Sequence, residues 1–114
     1  MPHFVIHCSN DILTLKAEHE INSEIHHIAH HSQLFEQSDI KVRVMPFNTY
    51  SVGGETASFI HVFASIMQGR TIEQRSHLSQ AIVAKLVAMY PEVPHIAMNV
   101  DEFEKSTYCN KALL

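Results

Sequence analysis

Phe4, Ile6 and Cys8 alternate with His3, Val5 and His7, the two-residue period of a strand, until Ser9-Asn10-Asp11 breaks it. The period then changes. Ile21, Ile25, Ile28 and Phe35 keep mostly helical spacing, with Ser32 filling the gap, so one apolar stripe faces a core while Glu20, Glu24 and His27 face water. Alternation returns in IKVRVMPF, where Ile40, Val42 and Val44 point one way and Lys41, Arg43 and Met45 the other. Asn48 to Glu55 contains Gly53-Gly54, which reach backbone angles that other residues avoid, and this predicts a turn.

The same order then repeats. SFIHVFASIM is a dense apolar strand, expected to be covered on both faces, and Gln68-Gly69-Arg70 ends it. Thr71-Ile72-Glu73-Gln74 has the form of a capping box, in which the threonine and glutamine side chains satisfy free amides at a helix start. Leu78, Ile82, Leu86 and Met89 form the inward stripe of that helix, and Tyr90-Pro91 stops it. His95 to Val100 predicts the last strand, and the tail beyond is weakly patterned. Two β-α-β units, about residues 2–47 and 58–101, imply parallel strand pairs in a mixed four-stranded sheet with two helices on one face. The expected fold class is therefore α+β in two layers, as a single domain over residues 1–114. The second face of the sheet needs a cover, and sister subunits supply it most economically for a chain this short.

Composition agrees with one compact domain: 46% of the 114 residues are hydrophobic and 18% charged. The longest apolar stretch, Phe59 to Met67, falls far below the roughly 20 residues of a membrane span, and the first residues lack the pattern of a signal peptide. A soluble, cytoplasmic protein is expected, with no membrane partner. A net charge of −4 argues against nucleic acid, which favours a basic face. Cys8 and Cys109 lack CxxC spacing and read as reduced, partly buried small hydrophobes.

Candidate chemistry begins at Pro2. Methionine ahead of a small residue is ordinarily removed, and loss of Met1 would turn the proline nitrogen from an amide into a free secondary amine. An α-amino group titrates near pH ~8 in model peptides, and nearby cations or burial lower that value towards the range a general base needs. The plain alternative is a proline that opens an edge strand, where its missing N–H does no harm. Lys41 and Arg43 share one strand face, and Arg70 stands at a strand-to-helix corner where helix amides add positive potential. Together these cations could hold a carboxylate, or they could simply meet solvent. Arg75, one turn further on, reads as a structural or rim residue. Ten histidines include HHIAHH, where His26 and His30, like His27 and His31, fall four apart on a helix. Such pairs grip metal incompletely without a further acidic or thiolate ligand, so no metal site is assigned. No nucleophile elbow, Cys-His arrangement or phosphate loop is present in the sequence.

MPHFVIHCS, IKVRV and FIHVFASIMQGRTIEQR, in this order and spacing, resemble the 5-carboxymethyl-2-hydroxymuconate isomerase family of the tautomerase superfamily, over Pro2 to about Val100. The resemblance implies a tautomerase-like β-α-β pseudo-repeat, a homotrimer, an amino-terminal proline as catalytic base, and neither metal nor organic cofactor. It implies an isomerase that moves a proton within an unsaturated 2-hydroxy or 2-oxo carboxylic acid, of the kind met in aromatic-compound breakdown. Carried onto this chain, Pro2 matches the base and Arg70 of QGRT matches an arginine that binds substrate carboxylate. Lys41 stands where the family commonly has arginine, which keeps the charge but loses the planar two-bond fork; Arg43 falls on a second basic position. The loop from Met45 to Glu55 is also shorter than the family pattern. Two other functions stand beside this one: a non-catalytic trimeric protein that binds a carboxylate or a protein partner on the same scaffold, and a histidine-rich metal carrier.

Overall fold

The computed structural model describes residues 1–114, with strands β1 (His3–Ser9), β2 (Lys41–Phe47), β3 (Phe59–Met67) and β4 (His95–Phe103). Its helices are a single turn, α1 (Ile12–Leu15), and two long elements, α2 (Glu18–His31) and α3 (Ile72–Met89). The strands form one sheet in the order β2-β1-β3-β4. β1 runs parallel to β2 and β3 parallel to β4, while β1 and β3 meet antiparallel at the centre. Each parallel pair is bridged by one long helix, so the two repeats expected from the sequence are present as β1-α2-β2 and β3-α3-β4. No helix is long and apolar enough to cross a membrane.

Strand alternation decides which side chains meet the helices. Phe4, Ile6 and Cys8 of β1 and Ile60, Val62 and Ala64 of β3 join Ile21, Ile25 and Ala29 of α2 and Leu78, Ile82 and Leu86 of α3 in one buried core. Burial pushes the Cys8 thiol up to about 11, with Asp11 and Glu18 adding to the effect. Cys109, by contrast, is exposed rather than partly buried.

The capping box at the start of α3 is complete. The Gln74 amide donates to Thr71 Oγ1 at 3.1 Å, and the Thr71 amide donates to Gln74 Oε1 at 2.9 Å. Thr71→Ala removes one arm of that exchange, and chemical denaturation should show a loss of about 1 kcal/mol.

Two expectations need correction. Phe35 does not extend the stripe of α2, because the helix ends at His31. There Ser32 Oγ donates to the Ala29 carbonyl at 2.5 Å, and Gln33 takes a positive φ of 61° that turns the chain away. Of the two covered faces expected for β3, the chain itself supplies one: both long helices lie on one side, and Phe63 on the other is 42% exposed. The last strand runs on to Phe103, three residues past Val100, because its parallel ladder with β3 continues to the pair Met67 and Phe103. The two glycines behave as expected, with φ of 59° and 83° in a tight turn closed by Val52 and Glu55.

Candidate active site

Pro2 is not at the edge of the sheet. It leads into β1, an interior strand, and is buried. Its carbonyl accepts the Lys41 amide at 3.1 Å, which extends the β1–β2 ladder by one step to the chain start. A residue without an N–H is tolerated at this point because the ladder needs only its carbonyl.

A cavity of about 250 Å³ opens at this end of the sheet, lined by Met1, Pro2, Phe35, Asp39 and Arg70 among others. Arg70 reaches it from the corner between β3 and α3, where Gly69 adopts a φ of 124° that a side chain would disfavour. The guanidinium is held on three sides. Nη2 donates to the Leu34 carbonyl at 2.5 Å, Nη1 donates to the Met67 carbonyl at 3.3 Å, and the guanidinium carbon lies 5.0 Å over the Phe35 ring. Phe35 in turn packs edge-on against Phe4 of the core, with ring centroids 6.0 Å apart. The segment after α2 therefore serves as the wall that locates Arg70.

Lys41 and Arg43 do share the open face of β2, and they go to different neighbours. Lys41 Nζ lies 3.2 Å from Met1 Sδ and donates to the Asp39 carbonyl at 3.3 Å, which brings its charge to the chain start. Arg43 Nη1 sits 3.1 Å from His3 Nδ1, outside the cavity wall. Burial, then Arg43, Lys41 and the chain terminus, hold the His3 imidazole below its ordinary value. Arg75 is outside the cavity lining and pairs with Glu102 at 3.5 Å.

The electrostatics at the chain start follow from these positions. Burial is the largest influence on the Met1 terminal amine and lowers its pKa; Asp39 opposes this, and Arg70 and Lys41 reinforce it, leaving that amine below its ordinary value. Glu36 and Asp39 also line the cavity, so an acidic side balances the basic one. Sequence reading passed over both, together with Gln33 and Leu34, because they belong to a connector without periodicity. In the histidine cluster, the rings of His27 and His31 lie 4.4 Å apart, and no group of three or more His, Cys, Asp or Glu side chains is arranged to hold a metal ion.

The arrangement can gather an anion in a small cavity that has the Arg70 cation on one wall and the chain start, with buried Pro2, on another. Comparison with known proteins bears on what such a frame belongs to. A solved 5-carboxymethyl-2-hydroxymuconate isomerase from Deinococcus radiodurans R1 superposes with a TM-score of 0.85 at 16% identity, over 96% of this chain and 88% of that one. A 5-carboxymethyl-2-hydroxymuconate delta-isomerase structure gives 0.77 at 16% identity, over 97% and 87%. A wild-type fused 4-OT, described as a symmetric trimer, gives 0.74 at 11% identity, over 98% and 96%. At these identities the likeness is one of fold, that of the tautomerases. No curated protein matches the chain by sequence. The family model for 5-carboxymethyl-2-hydroxymuconate isomerase matches residues 2–112, nearly the whole chain, and on that match the protein belongs to this isomerase family.

Proposed function

We propose that the protein is a cofactor-independent isomerase in which Pro2, freed by removal of Met1, is the general base. Its substrate is an unsaturated 2-hydroxy or 2-oxo carboxylic acid resembling 5-carboxymethyl-2-hydroxymuconate. The observation that carries this reading is the single cavity shared by buried Pro2 and Arg70. The neutral amine takes a proton from the hydroxyl or activated carbon of the substrate, giving a dienolate, and returns it to a more distant carbon. Arg70 holds the carboxylate, and Lys41 stabilises charge as it spreads through the conjugated system. Arg43 acts one step away, through its contact with His3, unless substrate draws it in.

Two preparations test the reading. Protein whose mass and first residue establish Pro2 as the terminus should isomerise 2-hydroxymuconate-type acids, followed by ultraviolet absorbance. Protein that keeps Met1 should not, because its Pro2 nitrogen is an amide. Equal rates in the two would remove Pro2 from its role.

The proposed assembly is a homotrimer. Phe63 and Met45 are 42% and 51% exposed on the uncovered sheet face, which fits an interface better than it fits solvent. Sedimentation should give three times the chain mass of 13.0 kDa, and Phe63→Glu should reduce it to one. A monomer before substitution would refute the trimer.

A non-catalytic carboxylate-binding trimer is the second reading, and one observation favours it. Two of the Arg70 donors are already engaged by backbone carbonyls, which leaves the guanidinium less free to follow a changing charge. Tight binding of the acid by Pro2-terminated protein, with no change in its absorbance, would select this reading.

A further inference from the structure

A larger cavity lies elsewhere. A crevice of about 490 Å³ lies between the end of α2 with its connector and the first half of α3, within the size range of small-molecule sites. Its apolar surface comes from Ile28, Leu34, Leu78 and Ala81, and its polar surface from His31, Ser32, Gln74 and His77.

The polar groups differ in what they can still offer. Ser32 Oγ is occupied, donating to the Ala29 carbonyl at 2.5 Å and accepting the Leu34 amide at 3.3 Å. Gln74 Oε1 is committed to the capping box, so only its Nε2 donor remains. His31 and His77 each carry at least one ring N–H that can be donated. No carboxylate lines the crevice, although the chain as a whole carries a net charge of −4. N–H donors with no carboxylate among them, above an apolar floor, complement a molecule with an apolar body and an anionic head.

Leu34 gives this crevice a connection to the cavity at Pro2. It lines both, and its carbonyl holds Arg70 Nη2 at 2.5 Å. A ligand that moves Leu34 therefore moves the acceptor that orients Arg70.

We propose that the crevice between α2 and α3 is a second binding site, for a compact apolar carboxylic acid held by His31, His77 and Gln74 Nε2. Through Leu34, its occupant adjusts the Pro2 cavity; that coupling, unlike the binding, rests on the isomerase reading given above.

Binding is tested without turnover. Amide resonances of uniformly labelled protein are followed during titration with 4-propylbenzoate and, separately, with 4-propylbenzylamine. The acid should shift Ile28, His77 and Ala81 saturably, with a Kd below about 5 mM, and the amine should bind at least tenfold more weakly. His31→Ala combined with His77→Ala should weaken the acid at least tenfold, and Ala81→Trp should abolish its binding by filling the crevice. Equal binding of the amine would overturn the ligand class. Shifts confined to Gln33, Asp39 and their neighbours, or a response that never saturates, would overturn the site. For the coupling, saturating acid should change the KM of Pro2-terminated protein, and Ala81→Trp should remove that change. Persistence of the change in that variant would overturn the route through Leu34. Binding at the crevice in a protein without isomerase activity would refute the isomerase reading and leave the site standing.

Discussion

An uncleavable extension ahead of Pro2 should lower kcat/KM for a 2-hydroxymuconate-type acid by about 10²–10⁴, the range supplied by a positioned general base. The extension leaves the fold in place, since Pro2 already gives its carbonyl to the Lys41 amide and needs no N–H. What it removes is the lone pair, because the nitrogen becomes an amide. Pro2→Ala is the milder companion. It leaves a terminal amine but changes its position and ring constraint, so a large drop short of complete loss is expected. The pH profile provides the independent check. Burial first, then Asp39 against Arg70 and Lys41, together lower the Met1 amine, and the amine freed at Pro2 would open into the same cavity beside Arg70. A base must be neutral to accept a proton, so kcat/KM should be maximal above the amine pKa and fall as pH drops through it. With the Pro2 amine facing the same burial and cations, the midpoint of that fall should lie below the ~8 of an ordinary α-amino group. Rates that ignore the extension, or a profile with no acid limb, would count against Pro2 as the base.

The parts of this fold that were legible in the sequence are those whose cause is local. Alternation in HFVIHCS and IKVRVMPF marked two strands, and the Thr71–Gln74 capping box marked where α3 begins, because each pattern is complete within a few residues. The shared face of Lys41 and Arg43 was legible for the same reason. Phe35 was not. Its spacing continues the stripe of α2, and the break before it depends on the left-handed turn at Gln33, a conformation that glycine or asparagine would have announced and glutamine does not. That single turn also concealed the site's outer wall, since Leu34, Phe35, Glu36 and Asp39 reach Pro2 only after it. The cover of β3 was illegible on different grounds. A strand apolar on both sides reads the same whether its second face meets the chain's own helices or another molecule. Pro2 lay between these cases: its position at a strand head was plain, while interior placement depends on β3 pairing from far along the chain. Its assignment as a base drew on the family resemblance and stays a proposal with Lys41, Arg43 and Arg70.

Arg70→Ala should lower kcat/KM by about 10²–10³, comparable to the removal of one donor aimed at developing negative charge. The same substitution should also destabilise the protein. Arg70 donates to two backbone carbonyls from separate segments, Leu34 after α2 and Met67 at the end of β3, and rests on the Phe35 ring. Charge-assisted hydrogen bonds of this kind contribute about 1.5–3 kcal/mol each when their partners are screened from water, and less at a half-exposed position such as this. A loss of about 1–2 kcal/mol in chemical denaturation is therefore expected alongside the kinetic defect. Arg70→Lys separates the two roles. An ammonium restores a positive charge beside the substrate carboxylate but cannot span both carbonyls as the planar fork does. KM should then recover part of the way while the stability loss remains. An Arg70→Ala variant that loses stability while its KM stays at the wild-type value would show Arg70 to be a tether for the α2 connector, with the substrate carboxylate held by Lys41 instead.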